Sequence, residues 1–396
     1  MKNITEFSFA GKRVLIRVDF NVPLDENFKI TDDSRIVATL PTIKKVISDG
    51  GKAIIISHLG RPKKGFEEKF SLKHIINHLS FLLDRPVAFS DDCIGESTAN
   101  DVAKMKDKDV LLLENLRFYK EEKSGDRFFA KQLAELADVY INDAFGAAHR
   151  AHASTAIIAQ FFPDDKYFGL LFKQEITNLE FVLKNPEGPF TAIIGGAKIT
   201  GKIDVITALL NKVDNLIIGG GMAYTFAKSM GANIGNSLVE DEKIELAKEL
   251  VELAKRKGVN IVFPSDSVNA SAFDNNAEIT ISSISAIPNG FMGLDIGKSS
   301  ILDFSKIIST SKTIIWNGPM GVFEMSNFEK GTKEIATAIC KATEIGAYSL
   351  IGGGDSVAAI KKFRMEEKVS YLSTGGGAML EYLKEGRLPG IDAILS

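Results

Sequence analysis

Cysteine is nearly absent from this chain: Cys93 and Cys340 are its two examples among 396 residues. They lie far apart and make no metal-ligand spacing, so both read as reduced thiols in a core. Long apolar runs are also missing; none approaches the roughly 20 residues of a membrane-spanning helix. The first residues, MKNITEFSFAGKR, hold neither the apolar core nor the cleavage site of a signal peptide. A large charge of either sign is lacking too. The formal net charge is −3, which argues against a protein that coats nucleic acid or lies on a membrane surface. Together these absences predict a cytoplasmic protein with no nucleic-acid or membrane partner.

What is present is ordinary in bulk and uneven in distribution. The chain is 45% hydrophobic and 25% charged, as soluble globular proteins are. Its length exceeds what one hydrophobic core usually holds, so two domains are expected. Eight of the eleven arginines and all five histidines lie within the first 152 residues, whereas 26 of the 34 glycines follow residue 150. Arginine forks bind phosphate and carboxylate. Glycine turns let backbone approach a phosphate chain. The two halves therefore look built for different anions.

Apolar β-rich runs alternate with helical patterns throughout. In the first half the strand candidates are RVLIRVDF, KAIIISHL, PVAFSD, VLLLENL and VYINDAF, with helix candidates at 35–49, 71–83 and 127–137. In the second half they are FTAIIGG, NLIIGGG, NIVFPSD, TIIWNG, YSLIGGG and SYLSTGG, with helices at 201–211, 241–257 and 329–345. Continuous apolar strands separated by helices predict parallel sheets covered on both faces. Ligands in such sheets bind beyond the carboxyl ends of the strands. The segment VLIRVDFNVP shows why. Val14, Ile16, Val18 and Phe20 alternate as an apolar face, while Arg17, Asp19 and Asn21 share the other. Buried charges are expensive unless paired, so these three meet each other, water or a ligand. A helical stretch, FGLLFKQEITNLEFVL, closed by NPEGP, marks the expected boundary between the halves.

Two phosphate-loop look-alikes fail on spacing. GAKITGKI fits G-x-x-x-x-G-K, but Ile203 stands where a metal-binding hydroxyl belongs; GLDIGKS is one residue short. The dinucleotide fingerprint is absent, since Gly219-Gly220-Gly221 runs into Met222-Ala223-Tyr224. The glycines instead predict helix N-termini exposed beside a sheet. In LIGGGDSVAAIKKF, Asp355 either caps its helix or faces a Mg²⁺ carried by phosphates. STGGGAMLEYL opens another helix with free backbone donors. Lys198 and Lys202 share a helix face if the helix starts at or before Lys198.

RVDFNVP, ITDDSRI, SHLGRP, LLENLRF, NDAFGAAHRAHAS, GGAK, IWNGPMGVFE, GGGDS and STGGGA occur in the order seen in phosphoglycerate kinases. The chain resembles that family from Arg13 to Ile391. The resemblance implies an α/β fold of two Rossmann-like lobes, each a parallel sheet flanked by helices, joined by an interdomain helix. Residues 1–170 would form a 3-phosphoglycerate-binding domain on which a tail of about 378–396 packs back. Residues 171–377 would form the nucleotide-binding domain. The implied reaction is reversible phosphoryl transfer between 1,3-bisphosphoglycerate and ADP, giving 3-phosphoglycerate and ATP. The enzyme would be a phosphotransferase with a carboxyl acceptor, using Mg²⁺ with ADP or ATP, closing at a hinge and acting as a monomer.

By matching motifs, the resemblance places the acid substrate at Asp19, Phe20, Asn21, Arg35, His58, Leu59, Gly60, Arg61, Arg117 and Arg150. It places the nucleotide at Lys202, Gly293, Glu324, Gly353, Gly354, Asp355 and Ser356, with Asp355 beside the metal. Arg35, Lys198, Gly375 and Gly376 would stabilise the transferring phosphoryl. His58 reads as a phosphate-facing donor rather than an acid or base, and Arg17 as a partner for buried carboxylates. The chain departs from the family pattern at Thr200-Gly201, where a more polar pair is usual, and at Gly297-Lys298-Ser299, where a proline is expected. An NAD-linked dehydrogenase also uses two α/β lobes but needs the missing fingerprint. A two-lobed solute-binding protein would capture ligand without turnover.

Overall fold

The run Arg13–Arg17 becomes β1, buried along Val14, Leu15 and Ile16 because neighbours cover it on both sides. A computed structural model describes residues 4–396. Around β1 stand β2 (Lys52–Ile56), β3 (Ala88–Ser90), β4 (Val110–Leu113), β5 (Val139–Asn142) and β6 (Lys166–Phe168), all parallel, in the order β3-β4-β2-β1-β5-β6. Side chains such as Ile16, Ile55, Leu112 and Ile141 meet those of the helix Ser34–Ser48, whose Ile36, Ile43 and Val46 are fully buried. Truncating any of them to alanine costs about 2–5 kcal/mol.

The second sheet is again six-stranded and parallel, in a different strand order. Its strands β7 (Phe190–Ile194), β8 (Asn215–Ile218) and β9 (Asn260–Val262) run in one direction from the centre. Beyond three further strands, β10 (Asp266–Ala270), β11 (Ile279–Ser283) and β12 (Met292–Ile296), the chain returns to it through β13 (Thr313–Asn317), β14 (Tyr348–Ile351) and β15 (Tyr371–Leu372). The order is β15-β14-β13-β7-β8-β9, all parallel. Trp316, Phe304 and Ile335 centre the core beneath it. Strands β10, β11 and β12 form a separate antiparallel sheet in the order β11-β10-β12. The sequence reading did not foresee that sheet, because DSVNA and ITISS carry too many small polar residues to look like strands.

The chain divides into two units, one running to Thr177 with Glu385–Ser396 added, the other Asn178–Lys384. The boundary falls inside the helix Leu170–Lys184. In the first unit that helix is seated on Asp143, at the end of β5, whose carboxylate accepts from the Phe172 N–H at 3.0 Å. Burial pushes the Asp143 carboxyl up to about 6. The helix Pro389–Leu395 joins the same unit through a bond from Gly390 N–H to Ala148 O of 2.9 Å. Both cysteines are free and buried. Among the described residues, no helix is long and apolar enough to cross a membrane.

Candidate active site

In each parallel sheet two adjacent strands feed connections to opposite sides: β1 and β5 in the first, β7 and β13 in the second. Loops diverge there and leave a crevice at the carboxyl ends of the strands.

In the first unit the residues just past β1 and β2 interlock. Asp19 accepts from Asn21 N–H at 3.2 Å and faces Arg35 at 3.5 Å. Arg35 also donates to Asn21 O at 2.9 Å. Asn21 Oδ1 accepts from Gly60 N–H at 2.8 Å, and Arg117 donates to Gly60 O at 2.7 Å. Phe20 is buried, with its N–H on Ser57 Oγ at 2.8 Å. Leu59 O accepts from Asn115 at 2.7 Å. Asp19, Asn21, Arg35, Gly60 and Arg117 thus form one connected set; His58 Nδ1 lies 3.8 Å from Asp19 Oδ1, and Phe20 and Leu59 are held alongside. Arg150 lies near the set: it donates to His149 Nε2 at 3.0 Å, and its charge helps to lower the Arg117 pKa. Arg61 stands exposed beside Gly60.

Behind this set lies a network whose size the sequence did not reveal. Arg17, 1% exposed, donates to Ser154 Oγ at 2.8 Å and to His58 Nδ1 at 3.2 Å. Ser154 in turn donates to the fully buried Glu122 at 2.7 Å. A guanidinium can only donate, so His58 Nδ1 is an acceptor and its proton sits on Nε2. Burial, then the charges of Arg17, Arg117 and Arg35, hold the His58 pKa well below its usual value. His58 is therefore a neutral donor. The same causes, burial first and then Arg17, lower His152 to about 3. Burial, with Arg17 and Arg150 adding to it, lowers Arg117 to about 10, still charged at neutral pH. Arg17 reaches the Glu122 carboxylate only by way of the Ser154 hydroxyl. Its grip on His58 was legible only once the fold brought residues 17 and 58 together.

In the second unit a cavity of about 460 Å³ opens beside β7, β8 and β12. Its wall is apolar at Leu238, Met292, Leu294 and Val322, and its rim carries Glu324 and Asp355. Gly293 lies on its floor, where a Cβ would sit 2.0 Å from the Tyr224 hydroxyl. Of the residues expected at the nucleotide, Gly293, Glu324 and Asp355 line this cavity. Lys202, Gly353, Gly354 and Ser356 stand outside its lining and build the turns next to it. Ser356 Oγ accepts from Gly318 N–H at 2.6 Å, and Gly353, with φ +94°, lies against Asn317 and Gly376.

Lys202 donates to Gly195 O, to Asn317 O at 3.0 Å and to Asn317 Oδ1 at 2.9 Å. It thereby ties the ends of β7 and β13 together. Burial lowers its pKa to about 8, with Asp355 opposing. The helix after this loop begins at Ile203, so Lys198 and Lys202 lie on a loop and do not share a helix face. Lys198 is exposed. Asp355 sits in the first turn of the helix Gly354–Lys362, whose cap position is Gly353, so it is not the cap. The helix Gly376–Glu385 starts at Gly375-Gly376, with Gly376 packed against the Gly353 backbone. Among the described residues, no group of three metal-binding side chains occurs. A lone carboxylate at an open rim suits Mg²⁺, which takes one or two carboxylates and fills its shell with phosphate oxygens and water.

Both departures from the family pattern have local explanations. Thr200 bonds Glu240 through its hydroxyl, and Gly201 faces open space. Lys298 is the first residue of the helix Lys298–Thr310, where proline would have pre-set the backbone. Here Asp266 satisfies the first turn instead, accepting from Ser299 and Ser300 N–H at 2.9 Å each.

The family model for phosphoglycerate kinase matches residues 4–386. A phosphoglycerate kinase from Porphyromonas gingivalis is 53% identical, with 99% of each chain covered. A cytosolic phosphoglycerate kinase from Triticum aestivum is 51% identical, covering 98% of this chain and 96% of its own. The solved structure of a phosphoglycerate kinase from Coxiella burnetii, 40% identical, superposes with a TM-score of 0.87 over 99% of this chain and 98% of the other.

Proposed function

The chain belongs to the phosphoglycerate kinase family, and on that premise we propose how its two units share the transfer of a phosphoryl group to a carboxyl acceptor. The first unit takes 3-phosphoglycerate or 1,3-bisphosphoglycerate. Arg61, Arg117 and Arg150, with neutral His58, grip the remote phosphate. Asp19 and Asn21 meet the hydroxyl and carboxyl end. The second unit takes ADP or ATP, with the base against the apolar wall, the ribose at Glu324 and the phosphates toward Lys202 and the turn Gly353–Ser356. Asp355 would hold the Mg²⁺ that accompanies the nucleotide and screens its phosphate charge.

The acceptor carboxylate is already ionised at neutral pH, so no base is required. This agrees with a His58 held neutral and bonded through Nδ1. The barrier is the meeting of anionic carboxylate, transferring phosphoryl and ADP oxygens in line. Such transfers depend on positioning and charge stabilisation. Arg35, Lys198 and the helix end at Gly375-Gly376 supply the positive field. Closure about the helix Leu170–Lys184 would bring the reactants together and exclude water.

The observation that carries this reading is the division of chemistry: a basic side-chain cluster in one unit and an apolar, glycine-floored cavity in the other. A coupled assay for ATP-dependent consumption of 3-phosphoglycerate tests it. Turnover dependent on both substrates is expected. Nicotinamide reduction, or ligand binding without turnover, would overturn it.

A further inference from the structure

The loop 197–202 carries Lys198 and holds itself at two points: Ile199 is fully buried, and Lys202 N–H donates to Ile199 O at 2.8 Å. Ala197, Lys198, Thr200 and Gly201 are exposed, and the following helix begins only at Ile203. Its first residues are fixed through Gly196 N–H to Pro319 O, 3.0 Å, and its last through Lys202. The middle is held from far away in sequence. Glu240, 7% exposed, accepts from Ile199 N–H at 2.5 Å, from Thr200 N–H at 3.3 Å and from the Thr200 hydroxyl. Glu240 is itself fixed, because its N–H donates to Thr225 Oγ1 at 3.1 Å from the helix Met222–Ser229.

We propose that Glu240 is a positioning residue for the transfer step, fixing the backbone immediately after Lys198 and so aiming its ammonium at the transferring phosphoryl. The inference rests on the role given to Lys198 above. Its physical basis is that the carboxylate satisfies two backbone donors which the loop cannot satisfy internally. Without it the loop would have to find other partners, and Lys198 would sample many directions. The role requires an accepting oxygen, and the local field keeps the carboxylate ionised so that both of its oxygens accept. Burial alone would raise the Glu240 pKa, but the bonds from Thr200 and Ile199, with the charge of Lys198, hold it below the usual value. The hydroxyl at position 200 gives that departure from the family pattern a purpose.

Displacing a reacting group by about 1 Å can slow a reaction by about a hundredfold. Glu240→Ala is therefore expected to lower kcat by about 10- to 100-fold while both KM values stay within about twofold. Glu240→Gln, whose amide oxygen still accepts, should recover much of the loss, and Thr200→Val should show a smaller fall. Combined with Lys198→Ala, none of these changes should slow the enzyme further, because all act through that lysine. If Glu240→Ala fails to fold, Glu240→Gln and Thr200→Val carry the same comparison. A Glu240→Ala enzyme with normal kcat beside a slow Lys198→Ala would overturn the proposal alone. So would losses that multiply in the double variant. Normal turnover in Lys198→Ala would overturn both the proposal and the role of Lys198.

Discussion

At the ends of β1 and β2 the first unit builds its site from side chains: Arg35, Arg117, His58, Asp19 and Asn21, each bonded to another part of the set. At the ends of β7, β8 and β13 the second unit builds from backbone, with Gly195, Gly220 and Gly318 so close that a Cβ on any of them would lie within 2.4 Å of a neighbouring backbone atom. Both units carry a six-stranded parallel sheet, with different strand orders. On the assignment proposed above, the contrast between side chains and backbone follows from what each unit would bind. A small acid offers only charges and hydroxyls, and the basic side chains that read them have to be held against mutual repulsion by buried partners such as Glu122. A nucleotide offers a flat apolar base and a chain of phosphates, which a smooth wall and close backbone can accept.

The sharpest way to break this comparison is to remove one cation from each unit. Arg35→Ala and Lys198→Ala should each lower turnover by about a thousandfold, the scale of a cation on a transferring phosphoryl. Steady-state kinetics should show little change in either KM. A variant with near-normal turnover would remove its residue from the transfer step.

A smaller effect is expected at the rim of the second unit. Asp355→Asn should weaken Mg²⁺-ADP by about tenfold or more, the scale of one unit charge near a cation. Metal-free ADP should bind as before, and titration calorimetry with and without EDTA separates the two.

The pH dependence of stability should differ between the units. His58 and His152 have folded pKa values below the unfolded value of about 6.5. Between those values the unfolded chain binds more protons, so the stability they favour is present above pH 6.5 and lost as pH falls. Asp143 works the other way: its raised value means that acidification below about 6 relieves its burial cost. Two histidines oppose one carboxyl, so the first unit should lose stability on acidification. In the second unit Asp295, raised by burial to about 7, gains on acidification. Trp316, the chain's one tryptophan, reports the second unit. Between pH 7 and 5, unfolding followed by circular dichroism should weaken before unfolding followed by tryptophan fluorescence. Coincident shifts would contradict this.

The smallest effect should come at a departure from the family pattern. A Cβ on Gly201 meets nothing within 4 Å, so Gly201→Ala should change stability by no more than about 0.5 kcal/mol in thermal melts.

Much of this was legible in sequence for physical reasons. Long apolar strands such as VLLL and FTAII have no alternative to burial in a parallel sheet, and they were read correctly. The strand Lys166–Phe168 was missed because it sits in DDKYFG, a run led by charged residues with no apolar stretch. The antiparallel strands were missed because DSVNA and ITISS are rich in small polar residues. Motifs named residues that bear charge near a strand end. They could not name Glu122, Glu240 or Asp295, whose importance lies in what they hold, and that depends on contacts across 32, 41 and 36 positions.

The central claim is that each substrate belongs to one unit. Titration calorimetry of Arg117→Ala and Gly293→Ala with 3-phosphoglycerate and with Mg²⁺-ADP tests it most directly. Arg117→Ala should lose about 10- to 100-fold in affinity for the acid, as expected for a charge-assisted hydrogen bond, and none for the nucleotide. Gly293→Ala, whose Cβ would strike Tyr224, should lose nucleotide affinity and keep the acid. Equal loss of both ligands in either variant would contradict the account.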